Sequence, residues 1–259
     1  MADKVKEKAV VIRQEEISLD IYSMWIETKA AQSAKPGQFV ALYCKDGSRM
    51  LPRPISICEI DKAKGRLRLV YRVVGKGTKE FSQCHAGAGL ELMGPLGNGF
   101  PMEAAKGKKA LIIGGGIGVP PMLELAKQLE AEEKNIVCGY RNLLFLDNEL
   151  KENGSLYVAT EDGSVGTKGT VLDAIKENNI TADILFACGP MPMLRALKAY
   201  AEENHMEAYI SLEEKMACGI GACLACVCKT KEKDTHTNVN NARICKEGPV
   251  FDAEEVDLS

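Results

Sequence analysis

The hydrophobic period of this chain changes once, near residue 104, and that change limits the architectures it can adopt. From Val10 to about Met102 apolar residues fall in short runs, VVIRQEEI, IYSMWIET, GQFVALYC, RLRLVYRVV and LELMGPL, divided by Gly, Pro, Asp and Lys turns. Short strands with frequent turns predict an antiparallel barrel. From Lys106 to about Leu212 apolar strands alternate with amphipathic helices: KALIIGGG, PMLELAKQLEAE, NIVCGYR, SLYVATED, GTVLDAIKENN, DILFACGP, MLRALKAYAEEN and EAYISLEE. That alternation predicts a parallel sheet with helices on both faces. The remainder, 213–259, has little apolar periodicity and holds five of the ten cysteines; a segment that cannot build a core from side chains is usually organised by a metal. The chain's 259 residues leave room for two compact domains and a small appendage. The expected fold class is multi-domain α+β: an antiparallel β-barrel over 1–103, an α/β parallel-sheet domain over 104–212, and a small cysteine-bearing segment over 213–259.

A formal net charge of -3 provides neither a basic footprint for nucleic acid nor a polybasic patch for an anionic membrane, which leaves small molecules or proteins as partners. The charged start, Met1 to Lys8, has no signal-peptide pattern. The longest apolar run, Ala110 to Ala126, is interrupted by Gly114, Gly115, Gly116, Gly118, Pro120 and Pro121, so no membrane span is expected. The chain therefore reads as cytoplasmic, and its cysteines are not expected to form disulfides.

Cys218, Cys223 and Cys226 stand in C-x4-C-x2-C spacing, with Cys245 nineteen residues on. This is the spacing of plant-type [2Fe-2S] ferredoxins, with a shorter step to the fourth ligand. The intervening glycines and alanines let the backbone turn N–H groups towards the sulfurs. A four-cysteine zinc site is the alternative, although it usually pairs two C-x2-C units. Cys228, in extended sequence beside Cys226, is expected to point away as a packed thiol.

Three further segments suggest phosphate-bearing ligands. In Leu51-Pro-Arg-Pro-Ile-Ser-Ile, read as the end of a strand, the Arg53 cation and the Ser56 hydroxyl suit a diphosphate; taken alone, Arg53 reads equally well as a surface salt bridge. Gly75-Lys-Gly77-Thr78 follows the strand of Val70, Tyr71 and Arg72 and opens a short helix. Ala110 to Met122 is a buried strand, a glycine turn (Gly114, Gly115, Gly116, Gly118) and a helix start with proline, which suits a nucleotide pyrophosphate or serves simply as a structural turn. Loops at Glu161-Asp162 and at Cys188-Gly189-Pro190 leave the carboxyl ends of predicted strands, where open α/β sheets bind ligands. The acidic pair favours NAD over NADP by repelling a 2′-phosphate, while Arg141 argues the other way.

The order of R-P-I-S, G-K-G-T, G-G-G-I-G, C-G-P and the C-terminal cysteines resembles the ferredoxin-NADP reductase superfamily. With Glu213-Glu-Lys-Met-Ala-Cys-Gly-Ile-Gly-Ala-Cys and Ile244-Cys-Lys-Glu-Gly-Pro-Val-Phe, it is more narrowly similar to the electron-transfer subunits of type B dihydroorotate dehydrogenase, over essentially the whole chain. The resemblance implies FAD in the barrel, contacted by Arg53, Pro54, Ile55, Ser56, Val70, Tyr71, Arg72, Gly77 and Thr78. It implies NAD as exchanging substrate on the α/β domain, and a [2Fe-2S] cluster on Cys218, Cys223, Cys226 and Cys245. Many members have R-x-Y-S with the tyrosine packed on the flavin; here that position is Ile55.

The resemblance further implies a partner, an FMN-containing catalytic subunit, in a heterotetramer of two of each chain serving pyrimidine (UMP) biosynthesis. Dihydroorotate gives up two electrons together and a cluster carries one at a time, so a flavin is needed at each end. No general acid or base is required of this chain, whose task is position and potential. The rivals are the flavin subunit of another complex, of sulfide dehydrogenase, hydrogenase or ferredoxin-NADP oxidoreductase type, and a zinc-stabilised binding module without redox activity. His85, His205 and His236 share no ligand spacing and read as surface or capping residues. Cys44, Cys58, Cys84 and Cys138 read as small hydrophobes.

Overall fold

The computed structural model describes residues 5–233 and 238–258, and His236 lies outside them. Strands β1 (Val5–Ser18), β2 (Ile21–Glu27), β3 (Phe39–Tyr43), β4 (Arg53–Asp61), β5 (Arg66–Arg72) and β6 (Gly89–Leu96) form the first half of the chain, with helix α1 (Lys76–Ser82) between the last two. The strands close into a barrel in the order β1-β2-β5-β4-β3-β6, every pairing antiparallel. Inward positions such as Met24, Val40, Leu42, Ile57 and Leu69 fill the interior and are fully buried. Closure leaves no unpaired edge at which another chain could add.

The second half runs β7 (Lys109–Gly115), α2 (Val119–Gln128), β8 (Glu133–Tyr140), α3 (Asp147–Lys151), β9 (Ser155–Thr160), β10 (Thr167–Lys168), α4 (Val171–Glu177), β11 (Ile184–Cys188), α5 (Met191–Glu203) and β12 (Glu207–Ser211). The tail adds β13 (Val227–Lys229), β14 (Asn241–Arg243) and β15 (Val250–Asp252). The sheet order is β10-β9-β8-β7-β11-β12-β15, parallel except for β15. Alternation along β7 separates two cores. Ala110 and Ile112 pack with α2 and the barrel residues Ile21, Cys58 and Val70, whereas Leu111 and Ile113 pack with α4 and α5. Helices thus cover both faces, as the strand-helix rhythm requires.

Three local expectations change. The R-P-I-S segment begins strand β4 instead of ending one; Ile55 and Ile57 face the barrel interior while Cys58 faces the second core, so burial on both sides erases the alternation. Helix α2 stops at Gln128 and does not reach Glu132, because the buried Leu129 turns extended (φ -67, ψ 124). The tail is not held by cysteines alone. Its β15 pairs with β12, and Ile244, Phe251, Ala253 and Val256 join the α4/α5 core.

An ion network joins barrel to sheet domain. The Arg68 Nε donates to Ser23 Oγ (2.8 Å), and its Nη1 reaches Glu59 Oε2 (2.6 Å) and, from α3, Glu149 Oε1 (3.2 Å). Lys127 of α2 also pairs with Glu59. Beside them Glu124, pushed up by burial, accepts the Ile60 N–H at 2.7 Å.

Candidate functional site

Arg53 and Gly77 meet. A Cβ on Gly77 would stand 2.7 Å from Arg53 Cζ, so only glycine admits the guanidinium over the start of α1. Arg53 also donates to the Leu51 carbonyl. Thr78 closes the helix start, its Oγ1 receiving the N–H of Val74 at 3.0 Å. Beside Arg53 and Thr78, Met50, Leu51 and Val74 are 82%, 57% and 80% exposed, apolar surface of the kind a bound cofactor covers. Other named side chains face elsewhere. Ile55 and the Tyr71 ring belong to the barrel core; Tyr71 stacks on Tyr22 and donates to Gln14 Oε1 at 2.9 Å. Val70 seals the interdomain core. Only their backbones remain available to a ligand. Pro54 and Ser56 are half-buried and Arg72 is exposed.

A cleft of about 520 Å³ opens between barrel and sheet at the carboxyl ends of the parallel strands. Arg72, Gly115, Gly116, Glu161 and Pro190 line it, which joins the R-V, glycine-turn, acidic and C-G-P loops in one place. Asp162 instead folds onto its own loop, accepting from Ser164 N (2.9 Å) and Oγ (2.7 Å). Gly114 and Gly118 serve packing. A Cβ on Gly114 would lie 2.7 Å from Val119 Cα, and one on Gly118 would lie 2.7 Å from Gly189 Cα. The half-buried Cys188, its thiol pushed up to about 12 by desolvation, neighbours Ser211 and Glu213. Arg141 and Glu161, both exposed, stand 3.9 Å apart across the mouth. Leu19 and Asp20 of the β1–β2 turn and Asn142-Leu143 also line the cleft. No motif marked them, because they reach the site only through the packing of barrel against sheet.

The cysteines meet in pairs. Burial would raise the Cys218 thiol, but N–H groups of Ile220, Ala222 and Cys223 and the Cys223 side chain hold it down to about 6; the Ile220 and Ala222 amides point at its sulfur at 3.5 and 3.3 Å. Cys245 is pushed up to about 12 by burial and by its contact with Cys226. Among the described residues no group of three or more His, Cys, Asp or Glu gathers about a single ion. Two sulfur pairs with inward amides suit the donor chemistry of a two-iron cluster. Cys228 turns away, its thiol on the Ala242 carbonyl at 3.6 Å. The loop sits on the barrel wall: a Cβ on Gly219 would meet Met93 Cε at 3.1 Å and Leu96 Cδ1 at 3.2 Å. His85 is exposed, and His205 is exposed with φ 54 just beyond α5, a capping position.

Barrel, open α/β sheet and cysteine loop together define an oxidoreductase with a flavin domain and an iron-sulfur segment. Residues 8–100 match the oxidoreductase FAD-binding domain family, and residues 213–257 match the iron-sulfur cluster binding domain of dihydroorotate dehydrogenase B. The chain is 43% identical over 260 residues to the dihydroorotate dehydrogenase B (NAD(+)) electron transfer subunit of Bacillus cereus strain B4264, covering 98% of this chain and 99% of that one. It shows the same identity and coverage with the subunit from Bacillus anthracis strain CDC 684. Among solved structures it superposes on an NADH-dependent reduced ferredoxin-NADP oxidoreductase with TM-score 0.86 and 29% identity, covering 96% of this chain and 90% of that chain. A ferredoxin NADP+ reductase from Neisseria gonorrhoeae shares the fold at TM-score 0.66 and 16% identity, covering 76% of this chain and 91% of that chain. The chain belongs to the electron-transfer subunits of dihydroorotate dehydrogenase B.

Proposed function

We propose that this chain carries electrons from a dihydroorotate-oxidising FMN subunit to NAD+, in a heterotetramer of two of each subunit acting in the cytoplasm in pyrimidine biosynthesis. Among the described residues no helix is long and apolar enough to cross a membrane. When bound, the [2Fe-2S] cluster supplies one-electron transfer and FAD supplies the exchange between single electrons and hydride. Cys218, Cys223, Cys226 and Cys245 hold the cluster, with the Ile220 and Ala222 amides offsetting thiolate charge. Arg53, Ser56, Gly77 and Thr78 hold the flavin diphosphate, with backbone contacts from Pro54, Ile55, Val70, Tyr71 and Arg72. Gly114, Gly115, Gly116 and Gly118 shape the nucleotide turn, and Cys188, Gly189 and Pro190 support the nicotinamide. Glu161 and Asp162 disfavour a 2′-phosphate, so NAD is preferred over NADP.

The observation that carries this reading is the seat of the Gly219 loop on Ala41, Met93 and Leu96 of the barrel wall, which puts the cysteine pairs beside the domain bearing Arg53. Identity of 43% with the dihydroorotate dehydrogenase subunits against 29% with the ferredoxin-NADP oxidoreductase supports the first partner class. The test is reconstitution. The chain alone should oxidise NADH with ferricyanide, and dihydroorotate-dependent NAD+ reduction should appear only when the FMN subunit is added. Dihydroorotate oxidation by the chain alone would contradict the division of labour.

A further inference from the structure

The cluster segment must keep a fixed distance from the flavin barrel while being covalently joined to the far edge of the other domain. Besides the seat of the Gly219 loop on the barrel wall, one short barrel loop makes that connection by hydrogen bonds. After β6 the chain runs Gly97-Asn98-Gly99, and Asn98 reaches the turn that carries Cys245. Its Nδ2 donates to the carbonyls of Glu247 (2.7 Å) and Lys246 (3.3 Å), and its backbone N–H donates to Gly248 O at 2.6 Å. Gly97, at φ +72, permits this approach: a Cβ there would stand 2.7 Å from Gly248 O. Any side chain would lever the turn off the barrel.

From that turn the contact continues to the other cysteine pair. The Arg243 Nη1 donates to Gly221 O at 3.0 Å, between Cys218 and Cys223, while Glu247 takes the guanidinium Nε at 2.9 Å. The Lys246 stem lies over Gly221, 2.9 Å from where a Cβ would be. Asn98 therefore stands at the root of a chain of contacts that reaches both sulfur pairs, and it grips main-chain carbonyls, whose positions follow the backbone of Cys245 directly.

We infer that Asn98 is a positioning residue for electron transfer between FAD and the cluster, fixing the cluster segment against the flavin barrel; this rests on the cofactor reading above. A side chain here needs two N–H donors of amide length, which Asn supplies and Asp or Leu does not. Both bonds lie at the surface, so in the leucine variant water takes up the two carbonyls and the tether is lost, whereas aspartate sets a carboxylate against them and repels the turn.

The experiment uses the flavin- and cluster-loaded chain with Asn98→Leu, Asn98→Asp and Gly97→Ala. Stopped-flow mixing with NADH follows flavin bleaching and cluster reduction separately, and hydrogen exchange follows the amides of residues 244–248. The expected result is bleaching at the parental rate, cluster reduction slowed several-fold with Asp worse than Leu, and faster exchange at 244–248. Cluster reduction at the parental rate in all three variants, with or without faster exchange, would overturn the inference. A parent chain that purifies with neither flavin nor cluster would instead defeat the underlying cofactor reading.

Discussion

Gly118→Ala is a sharp probe of the nucleotide cleft, because it changes sterics almost alone. Gly118 lies at φ -82, ψ -8 and caps α2, so alanine fits its backbone, and the N-cap exchange itself costs about 0.5–1 kcal/mol, since glycine outranks alanine there. The added methyl, however, would lie 2.7 Å from Gly189 Cα and closer still to the Cys188 carbonyl. Ordinary contact begins near 3.4 Å, so the glycine turn and the C-G-P loop must separate by roughly 0.7 Å or more. Neither gives easily, since Cys188 and Gly114 are register partners in the sheet. Overpacking of this kind costs about 1–3 kcal/mol of stability, and misplacing a reacting group by about 1 Å costs on the order of 100-fold in rate. With ferricyanide as acceptor, kcat/KM for NADH should fall by about 10- to 100-fold while the flavin stays bound. Gly89→Ala, whose methyl would meet nothing within 4 Å, serves as the control. Activity within twofold of the parent for Gly118→Ala would refute the cleft assignment.

Other outcomes follow from the same geometry. Cys226→Ser should abolish the cluster's visible absorbance, whereas Cys228→Ser, at a thiol held on Ala242 O, should leave it intact. Arg53→Ala should empty the flavin site, read as the loss of flavin fluorescence released on denaturation after gel filtration, because Gly77 is shaped around that guanidinium. Arg68→Ala leaves Glu59 to Lys127 alone and takes the donor from Ser23 Oγ in a mostly buried network; unfolding by urea should show a loss of about 1–3 kcal/mol, the scale for hydrogen bonds to a charged group. Burial pushes the Cys138 thiol up to about 12 from an ordinary value of 9.0. A raised folded pKa means stability is complete below pH 9 and lost as pH climbs towards 12, at about 1.4 kcal/mol per unit. Melting temperature should therefore drop across that window, and Cys138→Ala should flatten the slope.

The sequence revealed most where one physical pattern acts alone. Five barrel strands and the strand-helix rhythm followed from periodicity, and the cysteine spacing singled out four thiols that the fold brings together as two pairs, Cys218 with Cys223 and Cys226 with Cys245. Strand β4 escaped because Ile57 and Cys58 are buried against different cores, which removes the alternation a strand normally shows. Strand β15 escaped because three residues carry no period of their own, and only pairing with β12 makes them a strand. The cleft was legible in its glycines and in C-G-P. Its opposite wall, Leu19 and Asp20 on the barrel turn, depends on docking of two domains that no local signal records. Tyr71 and Ile55 show the same limit from the other side, since a motif names residues without saying whether side chain or backbone faces the ligand.

The most direct test of electron transfer through this chain is an anaerobic NADH titration of the purified protein, followed by visible absorption and EPR. Bleaching of FAD together with the appearance of a reduced [2Fe-2S] signal is the expected result, with iron and acid-labile sulfide present in equal amounts. A colourless protein carrying zinc on the same cysteines, or a cluster that NADH cannot reduce while the flavin is bound, would contradict it.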